Sequence, residues 1–150
     1  MKIKTSRFGS IEINEEDIIC FPSGILGFPQ HKKYIILPSD DGPLEWLQCT
    51  SHPELAFVVC NPLVFKPDYT VPLSPDELAE LGLENIEDGI ILVIIVVPED
   101  PYEMTANLLG PLLINRHNRR AKQLILTNTE YTTKHKVVGD SSRNESKQTG

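Results

Sequence analysis

Cys49 and His52 stand at C-x-x-H spacing, which is half of the ligand set of a structural zinc site. The other half is missing. His31, His117 and His135 have no Cys or His partner at ligand spacing, and Cys20 and Cys60 stand alone. His52 precedes Pro53 between two apolar runs and reads as a solvent-facing loop residue. A thiolate nucleophile at Cys49 or Cys60 would need a histidine base, and no local signature supplies one. Ser23 follows Pro22 directly and lacks the glycine two residues upstream that a nucleophile elbow requires. Gly24 and Gly27 do not make a phosphate-binding loop, because the lysine and the helix such a loop feeds are absent. Carboxylates are numerous enough to form acid–base pairs, but a solvated acidic surface is the simpler reading. The expectation is a protein with no catalytic, cofactor-binding or metal-ligating residues.

Charge narrows the partner class. The 150 residues carry a net charge of −7, unevenly placed. Residues 1–100 hold six Lys/Arg against 17 Asp/Glu, whereas residues 101–150 hold eight against four. An acidic body repels phosphate backbones and favours a basic protein partner. Arg116, His117, Arg119, Arg120 and Lys122 form the one basic cluster that could touch nucleic acid. It has no interleaved aromatic residue on which a base could stack. A nucleic-acid-binding barrel using this 116–122 hairpin is the alternative function; a solvated hairpin tip is the preferred reading. Three cysteines cannot all pair within one chain, and Cys60 closes an apolar run as a small core residue, so a reduced compartment fits. The longest apolar run, residues 90–97, is far shorter than a membrane helix needs. A cytoplasmic protein is expected, with no membrane association.

The elements that would position these residues are mostly strands. Ile11 and Ile13 alternate with polar neighbours as a half-buried strand does. Residues 18–21, 34–37, 45–50 and 55–60 read as further strands, and the β-branched run 90–97 as one buried on both faces. Residues 22–29 are dense in Gly and Pro and form a structured loop; Ile25, Leu26 and Phe28 are expected to pack down on the body. Ser74-Pro75-Asp76-Glu77 is a capping box that starts a helix of about two turns, ended by Gly82. Residues 111–127 read as a β-hairpin turning at 116–118, with its second strand at 122–127. Asn107 is expected to bond backbone in a bulge or turn. The fold class is all-β: a small closed or partly open β-barrel of about eight to ten short strands with one short helix. One domain spans 1–137, and the polar tail 138–150 is expected to be disordered.

Several stretches taken in order resemble the FliW family. They are Phe21-Pro22-Ser23-Gly24-Ile25-Leu26-Gly27-Phe28, Trp46-Leu47-Gln48-Cys49, Ala56-Phe57-Val58-Val59, the run from Asn61 to Tyr69, Thr105-Ala106-Asn107-Leu108, Pro111 to Asn115 and Lys122 to Leu126. The resemblance covers roughly residues 1–137. It implies a compact β-barrel without enzymatic activity and two protein partners: flagellin, the filament subunit, and CsrA, the RNA-binding repressor of flagellin synthesis. It further implies a partner switch, in which the protein held by flagellin leaves CsrA free to repress, and the protein released by flagellin export binds CsrA. Cys49 stands where a small residue such as Ser is expected in relatives, which argues against catalysis there. A protein that is monomeric when free is expected.

Two segments are candidate partner-binding sites. Asn61, Phe65, Lys66, Asp68 and Tyr69 mix aromatic and polar groups on a proline-stiffened segment, as interface hot spots require. The competing reading makes Phe65 and Tyr69 core anchors of a crossover. Asp40, Asp41 and Glu45 form a second, acidic edge, for which the competing reading is a plain solvated turn.

Overall fold

The computed structural model describes residues 1–40, 42–127 and 129–137. Asp41 and the expected disordered tail 138–150 therefore lie outside the described residues.

Among the described residues there are eleven strands, against the eight to ten expected, and one α-helix. β1 (Lys2–Thr5) and β2 (Gly9–Glu12) form a separate antiparallel hairpin. Its Ile3, together with Ile13 just beyond it, packs on Ile35. β3 (Ile19–Cys20), β4 (Lys33–Pro38), β5 (Glu45–Cys49), β6 (Ala56–Cys60), β7 (Gly89–Val96), β9 (Leu112–Asn115) and β10 (Ala121–Gln123) make one antiparallel sheet in the order β10-β9-β7-β6-β5-β4-β3. β8 (Thr105–Ala106) lies on the edge of β7, and β11 (His135–Lys136) pairs with β8. The strands not anticipated, β1, β8 and β11, are four, two and two residues long, too short to show a period in sequence.

The sheet is curled but not closed. β3 and β10 meet at a single isolated bridge, Cys20 with Arg120, where the Cys20 N–H donates to the Arg119 carbonyl at 2.8 Å. The architecture is the partly open form of the expected barrel. Its interior holds Ile19, Phe21, Tyr34, Leu47, Leu92 and Ile114. A second core on the outer face holds Tyr69, Leu81, Val93, Leu108, Leu113 and Leu124. Both draw on β7: Leu92 and its neighbours Ile90 and Ile94 face the interior, while Val93, Ile95 and Ile91 face the second core. Through Ile95 this is the two-sided burial that its β-branched run implies, whereas Val96 and Val97, expected to be buried with it, are exposed at its end.

The helix α1 (Pro75–Glu80) has the anticipated start and stop. Ser74 and Glu77 complete the capping box in both directions. Gly82 at φ +68° ends it, with the Leu83 N–H donating to the Leu78 carbonyl at 2.8 Å.

Asn107 sits where anticipated, in a bulge. β7 pairs Ile95 with Ala106 but Leu92 with Leu112, so the strand opposite carries three extra residues in between. The Asn107 Oδ1 accepts the N–H groups of Leu109 at 3.1 Å and Gly110 at 2.9 Å, which would otherwise be orphaned by the bulge. The same displacement shortens the expected returning strand: β10 stops at Gln123. Beyond it the N–H groups of Leu124 and Leu126 donate to Pro111 and Leu109, along the bulge.

The loop 22–29 departs from expectation in one respect. Ile25 is buried, but Leu26 is 76% exposed and Phe28 only leans edge-on against Phe57 at 5.4 Å. The loop is fixed by backbone conformation. Gly24 and Gly27 have φ of +71° and +90°. A Cβ on Gly24 would fall 2.6 Å from the Phe28 carbonyl oxygen and the Pro29 Cα, whereas one on Gly27 would meet nothing. Gly27→Ala should therefore cost only its left-handed strain, about 1–2 kcal/mol. Gly24→Ala adds a backbone clash and should cost well over twice that. Urea denaturation of the two variants checks the contrast, and equal costs would contradict it.

Candidate functional site

The run from Asn61 to Tyr69 leaves the sheet at the end of β6. The Asn61 Oδ1 accepts the Leu63 N–H at 3.0 Å and starts a 3-10 turn over Pro62–Val64. Pro62 is buried and pins that turn, so the next two side chains are thrown outward: Leu63 is 52% and Val64 58% exposed. Neither was singled out in sequence, although an Asn-Pro start to a turn followed by two apolar residues was the available signal. Phe65 is half-buried and stacks on His135, with ring centroids 6.0 Å apart. Lys66 Nζ is 3.1 Å from Asp68 Oδ1, and this pair holds the Asp68 carboxyl below its usual pKa.

Tyr69 takes the anchoring role. It is 6% exposed, its hydroxyl donates to the Leu108 carbonyl at 2.7 Å, and its ring lies 4.7 Å from that of Tyr131. Burial, reinforced by Tyr131, raises its hydroxyl pKa. Tyr69 thus fastens the segment to the body and leaves the surface to its neighbours.

The second candidate edge lies close by. Asp40 is exposed, and Glu45 is half-buried at the start of β5, opposite Pro38 on one side and Val59 on the other. The Cys60 thiol pKa is raised, first by burial and second by the Glu45 charge. The turn before β5 and the turn at 61–65 therefore leave the same end of the sheet, an adjacency that only the β5–β6 register reveals.

Between residues 61–73 and β7 lies a cleft of about 400 Å³, lined by Asn61, Leu63, Tyr69, Ile86, Ile91 and Arg116 among others.

The basic hairpin is paired with the body in part, Arg116 and Arg120 forming no ion pair among the described residues. His117 Nε2 is 3.0 Å from Asp88 Oδ1, Arg119 Nη2 is 3.8 Å from Asp17 Oδ1, and Lys122 Nζ is 2.9 Å from Glu80 Oε2. Arg119 and Lys122, each facing a carboxylate of the body, are poor phosphate ligands. Cys49 is fully buried with Sγ 3.6 Å from Ser51 Oγ, while His52 is exposed and its ring lies 5.2 Å from that of His31, so the C-x-x-H pair does not assemble. Among the described residues no three His, Cys, Asp or Glu side chains are placed to hold a metal ion. Burial and then the nearby Cys49 push the Tyr34 hydroxyl up to about 12, which suits a core residue. No helix among the described residues is long and apolar enough to cross a membrane.

The described residues thus form an open, two-core β-sheet that presents a pinned surface turn beside Asp40 and Glu45. The family described as FliW protein matches residues 2–137. The flagellar assembly factor FliW of Alkaliphilus metalliredigens is 44% identical over 140 residues, covering 92% of this chain and 86% of its own length. That of Bacillus subtilis is 41% identical over 142 residues, covering 94% and 99%. A crystal structure described as the flagellar assembly factor FliW superposes with a TM-score of 0.88 at 38% identity, over 93% of this chain and 99% of that one. The chain belongs to the FliW family.

His135 gives the site a pH dependence. Burial, and then the positive charge of Lys66, lower its pKa from 6.5, with Asp68 opposing. A folded state that binds this proton less readily than the unfolded chain gains stability as pH rises. The contribution is present above the ordinary histidine value and is lost as pH falls through it. Acidification from about pH 7.5 to about 5.5 should lower the exchange protection factor of the Val137 amide, which donates to the Met104 carbonyl at 3.0 Å beside β11. His135→Gln should flatten that response after correction for intrinsic rates.

Proposed function

We propose that this protein is a cytoplasmic flagellar assembly factor that works by binding proteins and catalyses no reaction. Its partners are CsrA and flagellin, engaged as a switch. Held by flagellin, it leaves CsrA free to repress flagellin synthesis; released, it binds CsrA and relieves repression. The observation that carries this reading is membership of the FliW family over residues 2–137. Charge supports it: an RNA-binding repressor carries basic surface, and residues 1–100 are strongly acidic. The binding surface is proposed to be the end of the sheet where Asp40 and Glu45 stand beside the turn that follows Asn61. There Leu63, Val64 and Phe65 supply apolar area, and Lys66 and Asp68 form the rim. Residues 1–137 are proposed as the functional unit.

Calorimetric titration with purified CsrA, repeated on protein saturated with flagellin, tests the switch. Micromolar or tighter binding that disappears in the second titration is the expected result. Binding that persists would leave separate surfaces and end the switch, and no heat in either titration would overturn the functional reading. Replacing Leu63 and Val64 together by Ser should weaken CsrA binding roughly tenfold with the denaturation midpoint unchanged.

A further inference from the structure

The cleft beside β7 has an unpaired strand edge as one wall. β6 is paired with β7 only as far as Cys60 opposite Val93. The chain then turns away, and the backbone bonds that follow close within it: Val64 to Asn61, Phe65 and Lys66 to Pro62, and Tyr69 to Lys66. Residues 89–92 of β7 are left with a strand on one side alone, β9. Alternation fixes which groups face the gap. The Ile94 carbonyl accepts the Asn107 N–H, so Ile94 points its backbone toward β8 and β9. Residues an odd number of places away, Ile91 and Gly89, point theirs into the cleft.

The side chains around this edge make a slot. Leu63 and Ile86 stand exposed on its rim, and Ile90, Ile91 and Leu113 lie deeper. At the Gly89 end stands Arg116, whose own N–H is fixed to the Asp88 carbonyl at 3.0 Å. Its side chain is exposed and, unlike His117, Arg119 and Lys122, forms no ion pair among the described residues. An uncommitted guanidinium at the end of an apolar slot, in a body otherwise rich in carboxylates, selects a ligand carrying a single negative charge on an apolar chain.

We infer that this slot captures the C-terminal end of a partner protein chain as an added β-strand. The added segment runs antiparallel to β7, continuing the direction of β6, which brings its C-terminal carboxylate to Arg116 at the Gly89 end. Three to four residues span the edge, at about 3.3 Å each. An apolar side chain fills the space over Ile91 between Leu63 and Ile86. The inference rests on the strand edge and Arg116 and not on the identity of CsrA or flagellin as partners.

The probe is a six-residue peptide of alternating threonine and valine, fluorescently labelled at its N-terminus and carrying a free C-terminal carboxylate. It is compared with its C-terminal amide and with an amidated version holding an internal aspartate. Fluorescence anisotropy should detect the free acid binding, with both amidated peptides weaker by roughly tenfold or more. Arg116→Gln, a surface change away from the core, should erase the difference between acid and amide. Ile86→Glu should weaken all three peptides. Hydrogen exchange supplies the signature of strand addition: saturating free acid should slow the Ile91 amide and leave the Ile90 amide, already bonded to β9, unchanged. Failure of the free acid to bind at about 1 mM, equal binding of acid and amide, equal binding of the internal aspartate, or an unprotected Ile91 amide in the complex would each overturn the inference.

Discussion

β7 carries strands along both of its edges and a core on each of its faces. Along one edge it bonds first to β9 and then to β8; along the other it bonds to β6 only from Val93 onward. Leu92 with Ile90 and Ile94 builds the barrel interior, and Val93 with Ile91 and Ile95 builds the outer core. A strand in this position must be apolar at nearly every residue, which is what the run Ile90-Ile91-Leu92-Val93-Ile94-Ile95-Val96 supplies. The change of partners midway along β7 decides the rest. It forces the bulge at 108–110 on one edge, and it opens the cleft on the other, where β6 has already left.

The bulge is tied to distant parts of the chain by side-chain amides. Asn107 closes it from within. Gln123 then joins it to the Gly-rich loop, its Nε2 donating to the Gly110 carbonyl at 3.0 Å and its Oε1 accepting the Leu26 N–H at 2.7 Å. A Cβ on Gly110 would stand 2.8 Å from that same Nε2, so the glycine keeps room for the link. Gln48 plays a comparable part in the β5–β6 turn, where its buried Nε2 lies within 3.3 Å of four carbonyls, those of Cys49, His52, Pro53 and Leu55. Several stretches that resemble the family, around Gln48, Asn107 and Gln123, are thus stretches in which an amide side chain organises irregular backbone. That is where a small sheet without closure needs support.

Electrostatics acts locally as well as globally. The positive C-terminal part of the sequence does not form a free basic face in the fold, because Asp17, Glu80 and Asp88, all from the acidic part, stand opposite Arg119, Lys122 and His117. These exposed pairs contribute little stability, of order 0–1 kcal/mol each. Their consequence is that Arg119 and Lys122 face carboxylates while Arg116 and Arg120, among the described residues, do not.

The sequence by itself determined those features that depend on neighbours in the chain. The capping box at Ser74 and Glu77, the Gly82 stop, the two-sided strand as far as Ile95 and the polar role of Asn107 were legible because each is set by local spacing and residue chemistry. The family was legible for the same reason, as an ordered series of short local patterns. Tertiary structure decided what depends on register. Whether Tyr69 faced a partner or the core was open in sequence and is resolved by a carbonyl 39 residues away, on Leu108. Leu26 looked like core and is surface, because positive-φ glycines on both sides turn it out. Three members of the basic cluster, His117, Arg119 and Lys122, stand against carboxylates from three other elements, which no local pattern foretells. The cleft had no local signature, since it arises where β6 and β7 part company after Cys60, and a gap between strands is a property of their pairing.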